Sequence, residues 1–132
     1  MTDRPAPDFA SPLDLPAPAG YSHVVTIPPG RLVWTSGQVA IAADGSVPSG
    51  WEAQTRLVFE HLGRALAAAG AGWRDVVKLS FFVVGVDELQ TIRAVRDEFV
   101  DTSAPPTSSL VQVAGLVRPD LLVEVEAVAA LA

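Results

Sequence analysis

Residues 104–130 read APPTSSLVQVAGLVRPDLLVEVEAVAA, two runs of alternating side chains on either side of a short turn. This period of two is typical of β-strands, because successive side chains of a strand point to opposite faces of a sheet. In the second run every odd-numbered position from 123 to 129 is apolar. Glu124 and Glu126 are therefore predicted to lie side by side on the other face, about 7 Å apart along the strand.

The turn at residues 115–120 predicts that the two runs pair as an antiparallel hairpin. In the simplest register, Ser108 and Gln112 of the first strand share a face with Glu124 and Glu126. This polar face has two interpretations. It is typical of a sheet face in contact with solvent, and it also suits a site where Glu124 positions or deprotonates a water molecule.

The composition indicates one globular domain. Of the 132 residues, 49% are apolar and 18% are charged, which is sufficient for a single hydrophobic core. The net charge is -6 and lysine and arginine do not cluster, so we expect no nucleic-acid partner. No apolar run approaches the length of a membrane span, so we expect no membrane partner. The lack of cysteine excludes disulfides and thiolate catalysis and is typical of a cytoplasmic protein.

The two histidines, His23 and His61, do not indicate a metal site. They are far apart in the sequence, and neither has a second ligand at the close spacing typical of zinc sites. No Ser-His-Asp arrangement is identifiable around them, which disfavours a serine hydrolase. His61 falls at the edge of an apolar helical stripe, so we expect it to be a partly buried structural residue.

Proline dominates the beginning of the chain. Five prolines within residues 1–18 prevent a helix or a central strand and predict an extended or disordered arm. A single domain is then expected over residues 19–132. Its first apolar runs, 21–27 and 31–37, are predicted to form a hairpin around a Pro-Pro-Gly turn, and 39–41 adds a short strand.

Two amphipathic helices are predicted farther along the chain. A capping box of Ser49 and Glu52 starts the first, which extends over residues 51–69. Asp87 caps the second, which continues to Val100. The order of strands and helices, with short connections, predicts an α+β domain with both helices on one face of the sheet.

The strand predicted at residues 75–84 has one core-like face and one mixed face. A mixed face is typical of a sheet that packs on helices on one side and meets a pocket or another subunit on the other. We therefore expect an oligomer. On the second helix, Arg93 flanks the apolar stripe, and a surface ion pair with Asp97 is the simplest explanation of this arginine.

Seven segments resemble the Rid (reactive intermediate deaminase) proteins, also called the YjgF or endoribonuclease L-PSP family. They match in the order and spacing of that family and cover nearly all of residues 19–129. These segments are AGYSHVV (19–25), LVWTSGQV (32–39), EAQTRLVFEHLGRALAAAG (52–70), DVVKLSFFVV (75–84), EFV (98–100), VQVAGL (111–116) and LVEVEAVA (122–129).

The resemblance implies a chorismate-mutase-like α+β fold with a mixed six-stranded sheet. It also implies a homotrimer with pockets between adjacent subunits. The family's best-known activity is the hydrolysis of enamines and imines to a keto acid and ammonia, with no cofactor. By this resemblance, Tyr21 matches the pocket tyrosine, Ser36 and Gly37 match the pocket backbone, and Glu124 matches the glutamate that orients water.

One family residue is missing. Deaminases of the family carry an arginine that pairs with the substrate carboxylate, and Ser108 stands at its position. A guanidinium holds a carboxylate by two charge-assisted hydrogen bonds, whereas a serine offers one neutral donor. This loss corresponds to about 2–4 kcal/mol of transition-state binding, so the usual small 2-imino acids are expected to be poor substrates.

Arg93 departs from the asparagine that several family members have on this helix, and we hypothesise that it supplies the missing cation from a new direction. Gln112 and Ser108 would offer hydrogen bonds to a polar substrate. Two classes of function remain open: a deaminase of a less common enamine or imine, and a trimer that binds a small metabolite without catalysis. The acidic charge and the lack of paired histidines disfavour a ribonuclease.

Overall fold

The computed structural model describes residues 6–132, which form seven strands and two α-helices. The strands are β1 (Asp8–Ala10), β2 (Val24–Thr26), β3 (Arg31–Trp34), β4 (Gln38–Val39), β5 (Val76–Val83), β6 (Thr107–Gln112) and β7 (Val123–Leu131). The helices are α1 (Trp51–Ala68) and α2 (Leu89–Asp97). A short 3-10 turn at Trp73–Asp75 leads into β5.

The nine-residue strand β7 is central to the main sheet. The strand order is β3-β7-β5-β6, and β4 pairs with β7 beyond the end of β3. β7 is antiparallel to β3, β4 and β5, whereas β5 and β6 are parallel, so the sheet is mixed. The predicted α+β fold is confirmed.

The predicted number of six strands is wrong for this sheet, which has five strands within residues 6–132. The difference comes from β2, which pairs with β1 in a separate two-stranded sheet. The predicted hairpin of β2 and β3 does not form either, because β3 pairs with β7. Pro28 and Pro29 lie between β2 and β3, and neither has an amide N–H to donate to a hairpin turn.

The predicted hairpin of β6 and β7 is also wrong, because β5 lies between these two strands. This changes which side chains share a face. Glu124 is in register with Phe82, and Phe82 is in register with Val111. Ser108 is in register with Leu79, which points to the other face. Ser108 and Gln112 therefore lie on the opposite face from the two glutamates.

Both helices cover the same face of the sheet and bury it. Alternate residues of β5 and β7 are buried there against α1 and α2, as the period of two in the sequence predicts. Large apolar side chains fill this core, among them Phe59, Leu62, Leu66, Leu79, Ile92 and Val125. Gln54 of α1 is buried as well, and it binds the chain entering β7 through Asp120 O at 2.8 Å and Leu122 N at 2.8 Å.

The predicted helix caps differ from those observed. The residue before α1 is Gly50, with a φ of 92°, and no side chain caps the helix. α2 begins at Leu89 after Glu88, so Asp87 is not its cap. Both helices nevertheless occupy the predicted stretches, because packing of the apolar stripe stabilises a helix more than any one cap.

The other face of the main sheet carries exposed apolar side chains. Trp34 is 67% exposed, Val111 is 48% exposed and Leu32 is 45% exposed. Glu124 and Glu126 lie on this same face and are half-buried. This surface, here called the open face, combines apolar and acidic side chains, as the mixed pattern of the sequence predicts.

Part of the proline-rich arm, Asp8–Ala10, forms the extended strand β1. The first five residues of the arm lie outside the described ones. His23, beside this arm, contacts Pro16 O through Nε2 at 2.7 Å. The boundary predicted at residues 18 and 19 stays a prediction. No helix within residues 6–132 combines the length and the apolar character that crossing a bilayer requires.

Candidate functional site

The first group of predicted site residues lies on the open face, around Glu124. Thr35 holds the loop after β3 against β7, because its N–H donates to Ala127 O at 3.0 Å and its hydroxyl accepts from Ala127 N–H at 3.0 Å. This places Gly37 in contact with the carboxylate of Glu124, so closely that a Cβ at this position would overlap the carboxylate. Ser36 lies next to Gly37 in this loop.

Replacing Gly37 by alanine tests the contact with Glu124. The added methyl group would displace the carboxylate, which is the flexible end of a side chain, so we expect a shift of under about 1 kcal/mol in unfolding free energy. Any activity that depends on the placement of this carboxylate should fall at least about tenfold. Thermal unfolding and kinetics of the G37A variant check both results. Unchanged kinetics would contradict a role for this carboxylate position.

The second group lines a pocket of about 220 Å³ between α2, β6 and the segment before β2. Its polar side chains are Tyr21, Arg93, Arg96 and Ser108. Its apolar walls include Phe81, Ile92 and Leu110. The structure thus brings together three of the predicted residues, Tyr21, Arg93 and Ser108, which are distant in the sequence.

Hydrogen bonds near the start of β6 hold Tyr21 over this pocket. The hydroxyl of the next residue, Ser22, donates to Pro105 O at 2.6 Å, and its N–H donates to Pro106 O at 3.2 Å. Ser22 is itself buried, so these bonds are shielded from water. They fix Tyr21 beside Ser108, two residues after Pro106.

Arg93 is half-buried and does not form the predicted surface pair with Asp97. Asp97 is instead bound by Arg96, whose Nε donates to Asp97 Oδ1 at 2.9 Å. Among residues 6–132 no carboxylate lies within ion-pair distance of Arg93. Arg93 therefore brings a positive charge without a counter-ion to the wall of the pocket.

Arg96 is a polar pocket residue that was not among the site residues predicted from the sequence. It is only 7% exposed, although arginine is seldom buried without a specific partner. Its position was a usable signal, because it follows Ile92 by four residues and so lies on the apolar side of α2. Gln112, in contrast, is exposed at the end of β6 in register with Val83, and it does not line this pocket.

Among the described residues, neither the surroundings of Glu124 nor the pocket of Tyr21, Arg93 and Ser108 contains a cluster of metal-binding side chains. Within residues 6–132, no set of three or more His, Cys, Asp or Glu side chains is placed to hold a metal ion. His61 is half-buried, as predicted, and contacts Ile41 O through Nε2 at 3.0 Å.

The two groups point to different sides of one chain. Glu124 projects from the open face, whereas the pocket of Tyr21, Arg93 and Ser108 lies on the side of α2. One chain alone does not combine the carboxylate and the cation in a single cavity. A combined site needs a second copy whose open face meets this pocket.

Comparison with known proteins identifies the family to which this chain belongs. The sequence model of the family named endoribonuclease L-PSP matches residues 13–131. The solved structure of YyfB from Yersinia pestis, a conserved Rid family protein, superposes with a TM-score of 0.81 and 32% identity, covering 95% of this chain and 98% of that one. The chain belongs to the Rid family.

Two further relatives of this Rid chain carry functional information. The 2-iminobutanoate/2-iminopropanoate deaminase of Escherichia coli is 32% identical over 117 residues, which are 86% of this chain and 91% of the relative. TdcF of E. coli, solved with bound serine, has 33% identity and a TM-score of 0.72, over 80% of this chain and 85% of that one. One relative is thus a deaminase, and another binds a small amino acid.

Proposed function

We propose that this Rid chain is a hydrolytic deaminase of a carboxylate-bearing enamine or imine. The observation that carries the proposal is Arg93, a cation without a counter-ion among residues 6–132, in the pocket that also contains Tyr21 and Ser108. Its guanidinium offers a carboxylate the two charge-assisted hydrogen bonds that Ser108 does not provide. The named activity of the E. coli deaminase supports the same class of reaction.

The proposed catalyst is a homotrimer in which Glu124 of one copy meets the pocket of the next. Three features support this assembly: the exposed apolar side chains of the open face, the opposite directions of the two groups, and the membership of the family. Burial of Trp34 and Val111 between copies would contribute to association, at roughly 25 cal/mol per Å² of apolar surface.

The proposed reaction requires little from the protein, because an imine carbon is already electrophilic. Arg93 binds the carboxylate, and Tyr21 covers the pocket. Glu124 orients a water molecule towards the imine carbon and accepts one of its protons. The carbinolamine formed from the protonated imine takes up that proton on nitrogen. Its hydroxyl proton then passes to Glu124 as the C–N bond breaks, which releases ammonia and leaves the keto acid. An enamine is first protonated at carbon to give the imine.

The substrate is proposed to differ from the common small 2-imino acids. The resemblance implies a cation at the strand position of Ser108, whereas Arg93 presents its charge from helix α2, so in this proposal the carboxylate is bound from another direction. A bulkier substrate can then contact Phe81, Ile92 and Leu110. The compartment we propose is the cytoplasm, where amino-acid breakdown forms such intermediates.

An amino-acid oxidase that generates imines in the assay tests this function directly. We expect the protein to accelerate ammonia release above the buffer rate for imines with larger apolar side chains, and to do so less for the imine of alanine. No acceleration across a broad amino-acid panel would contradict the proposal.

A second candidate is a trimer that binds a metabolite without converting it. Ser108 favours it, because the family resemblance implies an arginine at this position in the deaminases and the chain has a serine there. Serine bound to TdcF shows that a relative holds a small amino acid. Thermal-shift screening with metabolites, followed by recovery of the ligand, distinguishes the two: a stabilising ligand that is recovered unchanged supports binding alone.

A further inference from the structure

The segment that carries Tyr21 is not part of the main sheet. It leads into β2, and the only strand that pairs with β2 within residues 6–132 is the three-residue β1. A two-stranded sheet of this size is marginally stable by itself. The position of Tyr21 therefore depends on the few bonds that attach residues 19–22 to α2 and β6.

Arg96 makes the attachment to α2. Its Nη2 donates to Ala19 O at 3.4 Å, while Nε donates to Asp97 Oδ1 at 2.9 Å. Gly20 lies against the same guanidinium, so closely that any Cβ would overlap Nη2. Gly20 also has a φ of 78°, a conformation that other residues rarely adopt. Arginine and glycine thus fit together at this point.

The bond from Arg96 to Asp97 has a second consequence, for Arg93. Asp97 lies four residues after Arg93, at the spacing that favours a helical ion pair. Asp97 accepts from Arg96 instead, and it is not within ion-pair distance of Arg93. A buried guanidinium offers five donors in a fixed geometry, so it can bind the Asp97 carboxylate and the Ala19 carbonyl together.

We infer that Arg96 is a positioning residue: it holds Tyr21 over the pocket and keeps Asp97 from neutralising Arg93. This role needs no contact with the reacting atoms. Its importance for turnover rests on the proposed function, whereas the effect on Tyr21 does not. An Arg96→Gln substitution should release residues 19–20 from α2 and should free Asp97 to pair with Arg93.

Tyr21 is the only tyrosine of the chain, so 3-fluorotyrosine labelling gives a single ¹⁹F NMR reporter of its surroundings. We expect R96Q to shift or broaden this resonance in the folded protein without any substrate. The matched control is R56Q, which removes an arginine from an exposed ion pair with Glu98 and should leave the resonance unchanged. A resonance identical in R96Q and wild type would overturn the inference.

The double variant R96Q/D97N separates the two consequences. We expect R96Q to lower kcat/KM about tenfold or more, with a higher KM for carboxylate substrates. Removing the charge of Asp97 should bring KM back towards wild type, while the altered ¹⁹F signal of Tyr21 remains. A KM equal in the single and double variants would overturn the role in protecting Arg93.

Gly20→Ala provides a test that keeps the arginine. The added methyl group would displace the guanidinium and should perturb the Tyr21 resonance as R96Q does, with thermal unfolding confirming that each variant is folded. If G20A leaves the resonance unchanged, the attachment does not control Tyr21. Because no measurement in the NMR series involves turnover, failure of the deaminase proposal and failure of this inference give different results.

Discussion

Replacing Glu124 by glutamine is expected to lower the deaminase rate about 100- to 10,000-fold, the usual contribution of a positioned general base. The amide has nearly the shape of the carboxylate but does not accept a proton from water at neutral pH. Because Glu124 is only half-buried and contacts the backbone at Gly37, the variant should remain folded.

Glu126 provides the matched control for this substitution. It lies on the same strand and the same face, and it is also half-buried, but it is in register with Ser80 rather than Phe82. We expect E126Q to retain most of the activity, within about threefold of wild type. Single-turnover kinetics with an enzymatically generated imine compare the two variants. Equal losses in the two variants would show that the negative charge of the open face matters, and that the position of Glu124 does not.

Replacing Arg93 by glutamine is expected to lower kcat/KM for carboxylate-bearing imines about 30- to 1,000-fold. This range corresponds to about 2–4 kcal/mol for a charge-assisted contact in a pocket. An imine without a carboxylate should be converted equally well by R93Q and wild type. A loss of the same size for both substrates would contradict the role of Arg93 in binding the carboxylate.

A rescue substitution tests the same role of Arg93 by restoring a cation to the pocket of the R93Q variant. Ser108 lines the same pocket as Arg93, so an arginine at position 108 can reach the same ligand from β6. We expect R93Q/S108R to recover at least about tenfold of the lost activity and to prefer small 2-imino acids. Recovery in the double variant would be difficult to attribute to changes in folding.

The local features of this fold were predictable from the sequence, because they depend on the period of side chains along a strand or helix. The alternation in residues 122–129 placed Glu124 and Glu126 on one face opposite the core, and the structure agrees. The apolar stripes of α1 and α2 were located correctly in the same way. Each prediction needed only neighbouring residues.

Strand pairing was not predictable in the same way, since it depends on contacts between distant residues. Local turns favoured two hairpins, but β7 takes β3 and β5 as partners and β6 pairs in parallel with β5. The expected face of Ser108 was therefore wrong. The placement of Ser108 near Tyr21 was predicted from the family resemblance, and its placement near Arg93 from the hypothesis that Arg93 supplies the missing cation. Neither prediction came from the period of the side chains.

Glu124 of one copy is proposed to work with Arg93 of another, and mixing two kinds of inactive subunits tests this shared site. E124Q and R93Q subunits are co-expressed in equal amounts, and the mixed oligomers are assayed. If each site takes its two groups from neighbouring copies of a random trimer, about one quarter of the sites are intact, and about a quarter of the wild-type rate returns. A rate no higher than that of the separate variants would contradict the claim, because it would place both groups of each site in one subunit.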